Sequence, residues 1–240
     1  MADILLIVLI FVIIWIGYYL LFSPNSQILG TVFWRSDKKN DKRISLTFDD
    51  GPNEPYTSQI LNVLKKYNIK ATFFPVGQNI ARDNNTLKKM FEAGHIIGSH
   101  SYNHALLAPI LTPSFKNEID QSQKLIKNIT GRTPALFRPP WFFRQPAMLN
   151  YAKKSGLNTI TGTFGSYWEV FHVSAEQIAA DTIKATKPGT ILVFHDGYNN
   201  KGDSRDETVA ALEILIPKLI KNGYKFVTVP ELLNIRAYQD

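Results

Sequence analysis

The most sustained hydrophobic pattern in the chain is Ile4–Phe22, 19 residues without a charge (ILLIVLIFVIIWIGYYLLF). As a helix this run would be about 28 Å long, enough to cross the core of a bilayer. Asp3 precedes it and LLFSPNSQ follows, so the run lacks the basic start and small-residue end of a cleaved signal. Residues 1–23 therefore read as an uncleaved transmembrane anchor. Trp15, Tyr18 and Tyr19 fall towards its C-terminal end, where aromatic side chains settle at membrane interfaces. Residues 24–42 read as a juxtamembrane linker that closes on the charged, turn-prone run RSDKKNDKR.

From Arg43 the pattern changes to short apolar runs alternating with amphipathic stretches. ISLTF precedes a helix expected near Thr57–Tyr67. KATFFPV precedes one near Thr86–Ala93, and HIIGS one at about Pro113–Ile129 behind a Thr112 cap. ALFR, LNTIT, TILVF and KFVTV continue the series, with helices expected near Pro146–Ser155, from Ser174, near Glu207–Asn222 and at the C-terminus. Strand and helix alternation implies a parallel sheet covered by helices. About seven units suit an α/β fold of the (β/α)7 distorted-barrel type over residues 43–236.

Composition narrows the chemistry. The 240 residues contain no cysteine, which excludes disulfides and thiolate metal sites and leaves histidine and carboxylate as candidate ligands. The net charge of +7 suits an anionic partner such as a cell-wall polymer or a lipid surface. No nucleic-acid motif accompanies that charge, so no nucleic-acid partner is expected.

Four clusters carry candidate chemistry, each at the end of an apolar run. In TFDDGP, Thr47–Pro52, the adjacent carboxylates of Asp49 and Asp50 point opposite ways on an extended chain. One can then bind a metal while the other accepts a proton. In HSYNH, His100 and His104 stand four apart, a spacing that on a helical turn puts both imidazoles on one face. With Asp50 as third ligand, two imidazoles and a carboxylate leave an open position for water, a set that favours zinc or a similar divalent ion. FRPPW offers Arg138 to pair with a carboxylate and Trp141 as a flat surface for a sugar. ILVFHDG ends in His195, a candidate general acid near neutral pH.

Taken together, and in this order, these clusters resemble the polysaccharide deacetylase family (NodB homology, carbohydrate esterase family 4). The resemblance runs from Arg43 to Leu233 and includes ATFFPVG, GHIIGSHSYNH and GYKFVTVPELL. It implies metal binding by Asp50, His100 and His104. Asp49 would be the general base, held charged by Arg138, and His195 the general acid. Pro140, Trp141, Tyr167 and Trp168 would line the substrate groove, with Leu192 and Val193 near the acetyl methyl. The implied reaction is hydrolysis of N-acetyl groups on a peptidoglycan-like or chitin-like polysaccharide. The alternatives are O-acetyl ester cleavage, as on xylan, and a membrane-bound glycan-binding protein with weakened catalysis.

Two departures from the family pattern bear on that reading. Phe142 and Phe143 stand where relatives commonly carry a glycine, which makes a bulkier groove wall. In GTFGSYWEV, Tyr167 replaces the aspartate that orients the catalytic histidine, a loss expected to lower the pKa of His195. Glu169, Asp181 and Asp196 are the candidates to compensate. Membrane orientation also conflicts. Arg35, Lys38, Lys39, Lys42 and Arg43 follow the apolar run, which by the positive-inside rule favours a cytoplasmic domain, whereas the resemblance favours an extracytoplasmic one.

Overall fold

The computed structural model describes residues 1–38, 41–105, 115–171, 173–198 and 203–240. Helix α1, Ala2–Phe22, covers the whole apolar run; it is long and apolar enough to cross a membrane, and its most apolar stretch buries nothing against the rest of the chain. The remainder is α/β with a mostly parallel sheet.

Strand β1, Arg43–Asp49, is buried from Ile44 onward on both faces, which is why it reads as a continuous apolar run and why it lies at the centre of the sheet. It pairs in parallel with β2, Thr72–Phe74, on one side and with β7, Ile191–His195, on the other. Strands β3, Ile96–Ile97, and β6, Thr163–Phe164, extend the two sides, while β8, Lys225–Phe226, pairs with the start of β1. Strands β4, Leu136–Phe137, and β5, Asn158–Thr159, form a separate parallel pair. A bridge between Ser99 and Phe137 joins that pair to the β3 side.

The connector after α1 supplies the remaining link. Phe33 accepts from Thr161 N and donates to Thr159 O, both at 2.9 Å, while Ser36 N donates to Gly189 O at 2.8 Å ahead of β7. The stretch expected to run as a linker thus lies between β5 and β7 as a short strand-like segment, and the pairings close into a ring. Three basic residues here are engaged too. Arg43 pairs with Asp41 at 2.5 Å, Lys42 donates to Asn222 O at 3.0 Å, and Arg35 covers the Trp34 ring at 4.6 Å.

Helices cover the outside. These are α2 (Tyr56–Lys66), α3 (Gly77–Arg82), α4 (Asn84–Glu92), α5 (Phe115–Thr130), α6 (Pro146–Lys154), α7 (Ala175–Ala185), α8 (Asp206–Lys221) and α9 (Val229–Leu233). On α2 the buried positions Thr57, Ile60, Val63 and Leu64 recur at helical spacing, and the last three meet Leu46, Phe48 and Phe194 from the sheet in the main core. Asp83 caps α4 by accepting from Thr86 N at 3.0 Å. Helix α3 and strand β6 are too short to leave a periodic signal, and neither was expected from the sequence. The expected Thr112 cap and Pro113 start lie outside the described residues.

Alternation along β1 and β7 sorts core from site. Leu46, Phe48, Leu192 and Phe194 belong to the outer core beneath the helices. Thr47 and Asp49 point the other way and meet Arg138 inside the ring. Asp49 and His195 are register partners at the C-terminal ends of their strands, so the pairing itself brings the first and fourth clusters together.

Candidate active site

Asp50 follows β1 with φ at 73°, a left-handed backbone that turns its side chain away from that of Asp49. Its Oδ1 lies 3.4 Å from His100 Nε2 and 3.2 Å from His104 Nε2, and all three side chains are buried. His100 Nδ1 is 2.7 Å from Arg138 O. Since a carbonyl only accepts, Nδ1 carries the proton and Nε2 presents its lone pair to the cluster. Asp50 Oδ1 is buried and accepts no hydrogen bond. One ligand atom from each of the three side chains lies within 4.8 Å of the others, and with the imidazoles neutral their lone pairs and the carboxylate converge on a point that a cation would fill. The donor set therefore fits a divalent metal. Burial alone would raise the Asp50 pKa, but the positive charge that His104, His100 and His195 carry when protonated outweighs it and holds the carboxyl well below its ordinary range.

The two histidines do not share a helical turn. Residues 101–104 form a bend with φ of 66° at Ser101 and 54° at His104, and the imidazole rings come within 5.0 Å through that bend. Glu118 of α5 holds it, accepting from Tyr102 N at 3.1 Å and from Asn103 N and Nδ2 at 2.6 Å each. Ser101 Oγ accepts from His104 N at 3.1 Å. Left-handed backbone at non-glycine residues is costly, and its recurrence at Asp50, Ser101, His104, Trp141 and Phe142 marks the rim as a strained surface held by its surroundings.

Beside the cluster, Arg138 is fully buried and donates from Nη1 to Asp49 Oδ1 and to Thr47 Oγ1 at 2.7 Å each, and from Nη2 to Thr161 O at 3.1 Å. Burial pulls the guanidinium pKa down and the Asp49 carboxylate opposes it. Across the cluster, His195 Nδ1 lies 2.6 Å from Glu169 Oε2, and Thr208 Oγ1 donates to Glu169 Oε1 at 2.6 Å. Burial would lower the His195 pKa, but Glu169 reverses that and the group stands at about 9. This overturns the expected lowering. The carboxylate missing at position 167 is supplied two residues later by Glu169. Asp181 instead accepts from Ser166 and Gln177, and Asp196 is buried under Gly51, accepts from Thr57 Oγ1 at 2.6 Å and is raised to about 7 by burial.

A cavity of about 290 Å³ opens over Asp49, Asp50, the histidines and Glu169, walled by Trp141, Phe142, Phe164, Tyr167, Phe171 and Tyr198. Trp141 and Tyr167 are there as expected. Trp168 is exposed beside the mouth and Pro140 is buried beneath it, and neither lines the cavity. Leu192 and Val193 are buried within β7, where a central strand is covered on both faces, and do not reach the cavity wall either. Glu118, Phe164, Phe171 and Tyr198 were not singled out from the sequence. They lie on separate segments and converge only in the fold.

Buried histidine and carboxylate side chains converging at the strand ends of an α/β sheet, with an aromatic cavity above them, define a hydrolase-type site. Residues 36–160 match the polysaccharide deacetylase family. A peptidoglycan-N-acetylglucosamine deacetylase of Bacillus cereus is 36% identical over 210 residues, covering 86% of this chain and 95% of that protein. A crystal structure of a peptidoglycan N-acetylglucosamine deacetylase in complex with 4-naphthalen-1-yl-N-oxidanyl-benzamide superposes with a TM-score of 0.80 at 29% identity, covering 87% of this chain and 95% of the other. A family 4 acetyl xylan esterase from Clostridium thermocellum, solved with a cobalt ion, gives 0.72 at 34% identity, covering 82% and 94%. The chain belongs to the polysaccharide deacetylase family.

Proposed function

We infer that this protein removes N-acetyl groups from N-acetylglucosamine units of peptidoglycan, with residues 43–236 acting as a distorted (β/α)7-type catalytic barrel behind a membrane anchor at residues 1–23. The observation that carries the reading is the pair of oppositely equipped groups flanking the Asp50, His100 and His104 cluster. Asp49 is held by Arg138 at 2.7 Å, and His195 by Glu169 at 2.6 Å. A divalent metal, zinc by the ligand types, would be held by Asp50, His100 and His104 and would supply Lewis acidity for water and for the acetamide carbonyl. Asp49 accepts a proton from the attacking water. Arg138 fixes the carboxylate in place for that transfer. His195 then donates its proton to the departing sugar amine, and its pKa of about 9 keeps the donor charged at neutral pH. The aromatic walls, Trp141 above all, offer flat faces to the sugar ring.

An amide leaves poorly as an anion and needs that proton, whereas an ester alkoxide needs it less. The acidic half therefore favours N- over O-deacetylation. The likeness to the acetyl xylan esterase supports O-acetyl cleavage as the second reading. Acetate release from N-acetylglucosamine oligomers compared with acetylated xylan separates the two. Faster release from xylan would overturn the N-deacetylase reading, and release from neither would leave a glycan-binding protein.

The named substrate of the relatives lies outside the cytoplasmic membrane, which supports an extracytoplasmic domain. The basic residues that argue otherwise are in part tied to the barrel, as Lys42 and Arg43 illustrate, so they are weak topogenic signals.

A further inference from the structure

The last turn of α1 does not end in free solvent. Carbonyls at a helix C-terminus lack intrahelical partners. Here Leu21 O accepts from Arg144 N at 2.9 Å, Ser23 O accepts from the Arg144 guanidinium, and Pro24 O accepts from Thr161 Oγ1 at 2.7 Å. Arg144 is buried, and although burial lowers its pKa to about 10 it stays cationic where helix carbonyls favour a cation. Phe22 packs on Phe143 with ring centroids 5.4 Å apart.

Arg144 and Phe143 directly follow Phe142, a residue of the wall of the catalytic cavity. Phe142, two residues before Arg144 and so within about 7 Å along the chain, lines the cavity and packs at a tilt against Phe164, ring centroids 5.1 Å apart. Phe164 in turn lies 5.5 Å from Tyr167 and 6.4 Å from His195. Ring contacts on either side of the Phe142–Phe143 peptide thus link the end of the apolar helix to the imidazole. Phe142 and Phe143, the residues that depart from the family pattern, are the ones that make this connection. The connector beyond α1 gives no slack, because Ser26 is buried, Gln27 brackets Val32 at 2.9 and 3.0 Å, and Phe33 is paired with the sheet. Tyr167, Trp168 and Phe171 are 70%, 60% and 67% exposed on the same rim, side chains suited to the wet edge of a bilayer.

We propose that the anchor and the active-site rim form one rigid unit that holds the mouth of the site against the bilayer surface, so that the substrate is glycan lying at that surface. This rests on reading α1 as a membrane span. A tethered domain on a free linker would sample glycan tens of ångströms away; this one is confined to the first layer.

The test uses the full chain in lipid vesicles. Because the sequence has no cysteine, Trp168→Cys and Lys225→Cys each give one labelling site, the first on the rim and the second at the opposite end of the sheet, about 20 Å along β1 from Asp49. Both positions are exposed, so the label does not disturb the core. Flotation of the protein with the vesicles is scored first. Fluorescence quenching by headgroup spin-labelled lipid is then expected to be at least about threefold stronger at the rim position, given an interfacial depth of roughly 5–10 Å. Equal or weaker quenching at the rim in protein that floats overturns the proposal while leaving the anchor intact. Failure to float overturns the anchor reading, and the proposal falls with it.

Discussion

Glu169 Oε2 lies 2.6 Å from His195 Nδ1, and the same carboxylate accepts from His195 N at 3.3 Å and from Thr208 Oγ1 at 2.6 Å. The imidazole is fixed in one orientation, with Nδ1 facing Glu169 and Nε2 left to the cavity. Glu169→Gln keeps the shape and removes the charge, leaving burial opposed only by the more distant Asp50 and Asp49 carboxylates. Native His195 holds its proton up to about pH 9. The alkaline limb of the kcat profile is therefore expected near 9 in the native protein and lower by at least about one unit in the variant, with kcat at pH 8 reduced roughly 10–100-fold. An unmoved limb would remove Glu169 from the proton-donating half.

Arg138 and Asp49 form the other pair, and both are shielded from solvent. Replacing Arg138 with Met leaves a buried carboxylate without its cation, which costs about 3–5 kcal/mol. Thermal unfolding should register that loss along with abolished acetate release. Asp49→Asn keeps the shape but leaves the Arg138 guanidinium as the unpaired buried charge, so it should lower Tm as well, with release still abolished at temperatures where the variant is folded. Release that follows the folded fraction of the variant would mean that Asp49 acts through the fold and not as the base.

Glu118 is remote from the cavity but holds the bend that joins His100 to His104. Glu118→Gln keeps part of the hydrogen bonding and Glu118→Ala removes it. Metal affinity is expected to fall roughly 10–100-fold in the alanine variant and less in the glutamine one, since partners of ligand-bearing segments carry effects of that size. A chelator competition titration reads this directly. Equal affinities in all three proteins would mean that the bend is held by the strand ends alone.

His95 serves as an independent check on the core. It accepts from Ala71 N at 3.1 Å through Nδ1 and so is neutral, and burial followed by the nearby Lys70 charge lowers its pKa to about 4. The unfolded imidazole titrates near 6.5, so between those values the unfolded chain binds the extra proton and stability is lost as pH falls. The loss is at most about 3 kcal/mol by pH 4. His95→Gln should flatten the fall in Tm between pH 7 and 5. A parallel fall in both proteins would assign the acid sensitivity elsewhere.

Much of this site is legible in the sequence, because strands that end at a common edge deliver whatever residues follow them. TFDDGP, HSYNH, FRPPW and ILVFHDG each close an apolar run, and the parallel pairing of β7, β1, β2 and β3, with the Ser99–Phe137 bridge on to β4, brings them together. What remained hidden was anything decided by neighbours distant along the chain. Asp181, Glu169 and Asp196 were equivalent as candidates until the fold put Glu169 beside His195 and turned Asp196 under Gly51. The histidine spacing suggested a helical turn, but left-handed residues at 101 and 104 achieve the same convergence in a bend, and backbone sign is not written in residue type at Ser or His. The stretch after the anchor reads as a polar linker because the strand-like pairings in it, at Phe33 and Arg35, are too short to leave a period-two signal.

The most direct test of the central claim is metal content and acetate release measured together on purified peptidoglycan, for the native chain and for Asp50→Ala. The native protein should hold about one equivalent of divalent metal, release acetate from N-acetylglucosamine units, lose both properties to a chelator and regain both with added metal, while the variant shows neither. Undiminished release from Asp50→Ala, or from chelated native protein, would contradict the account.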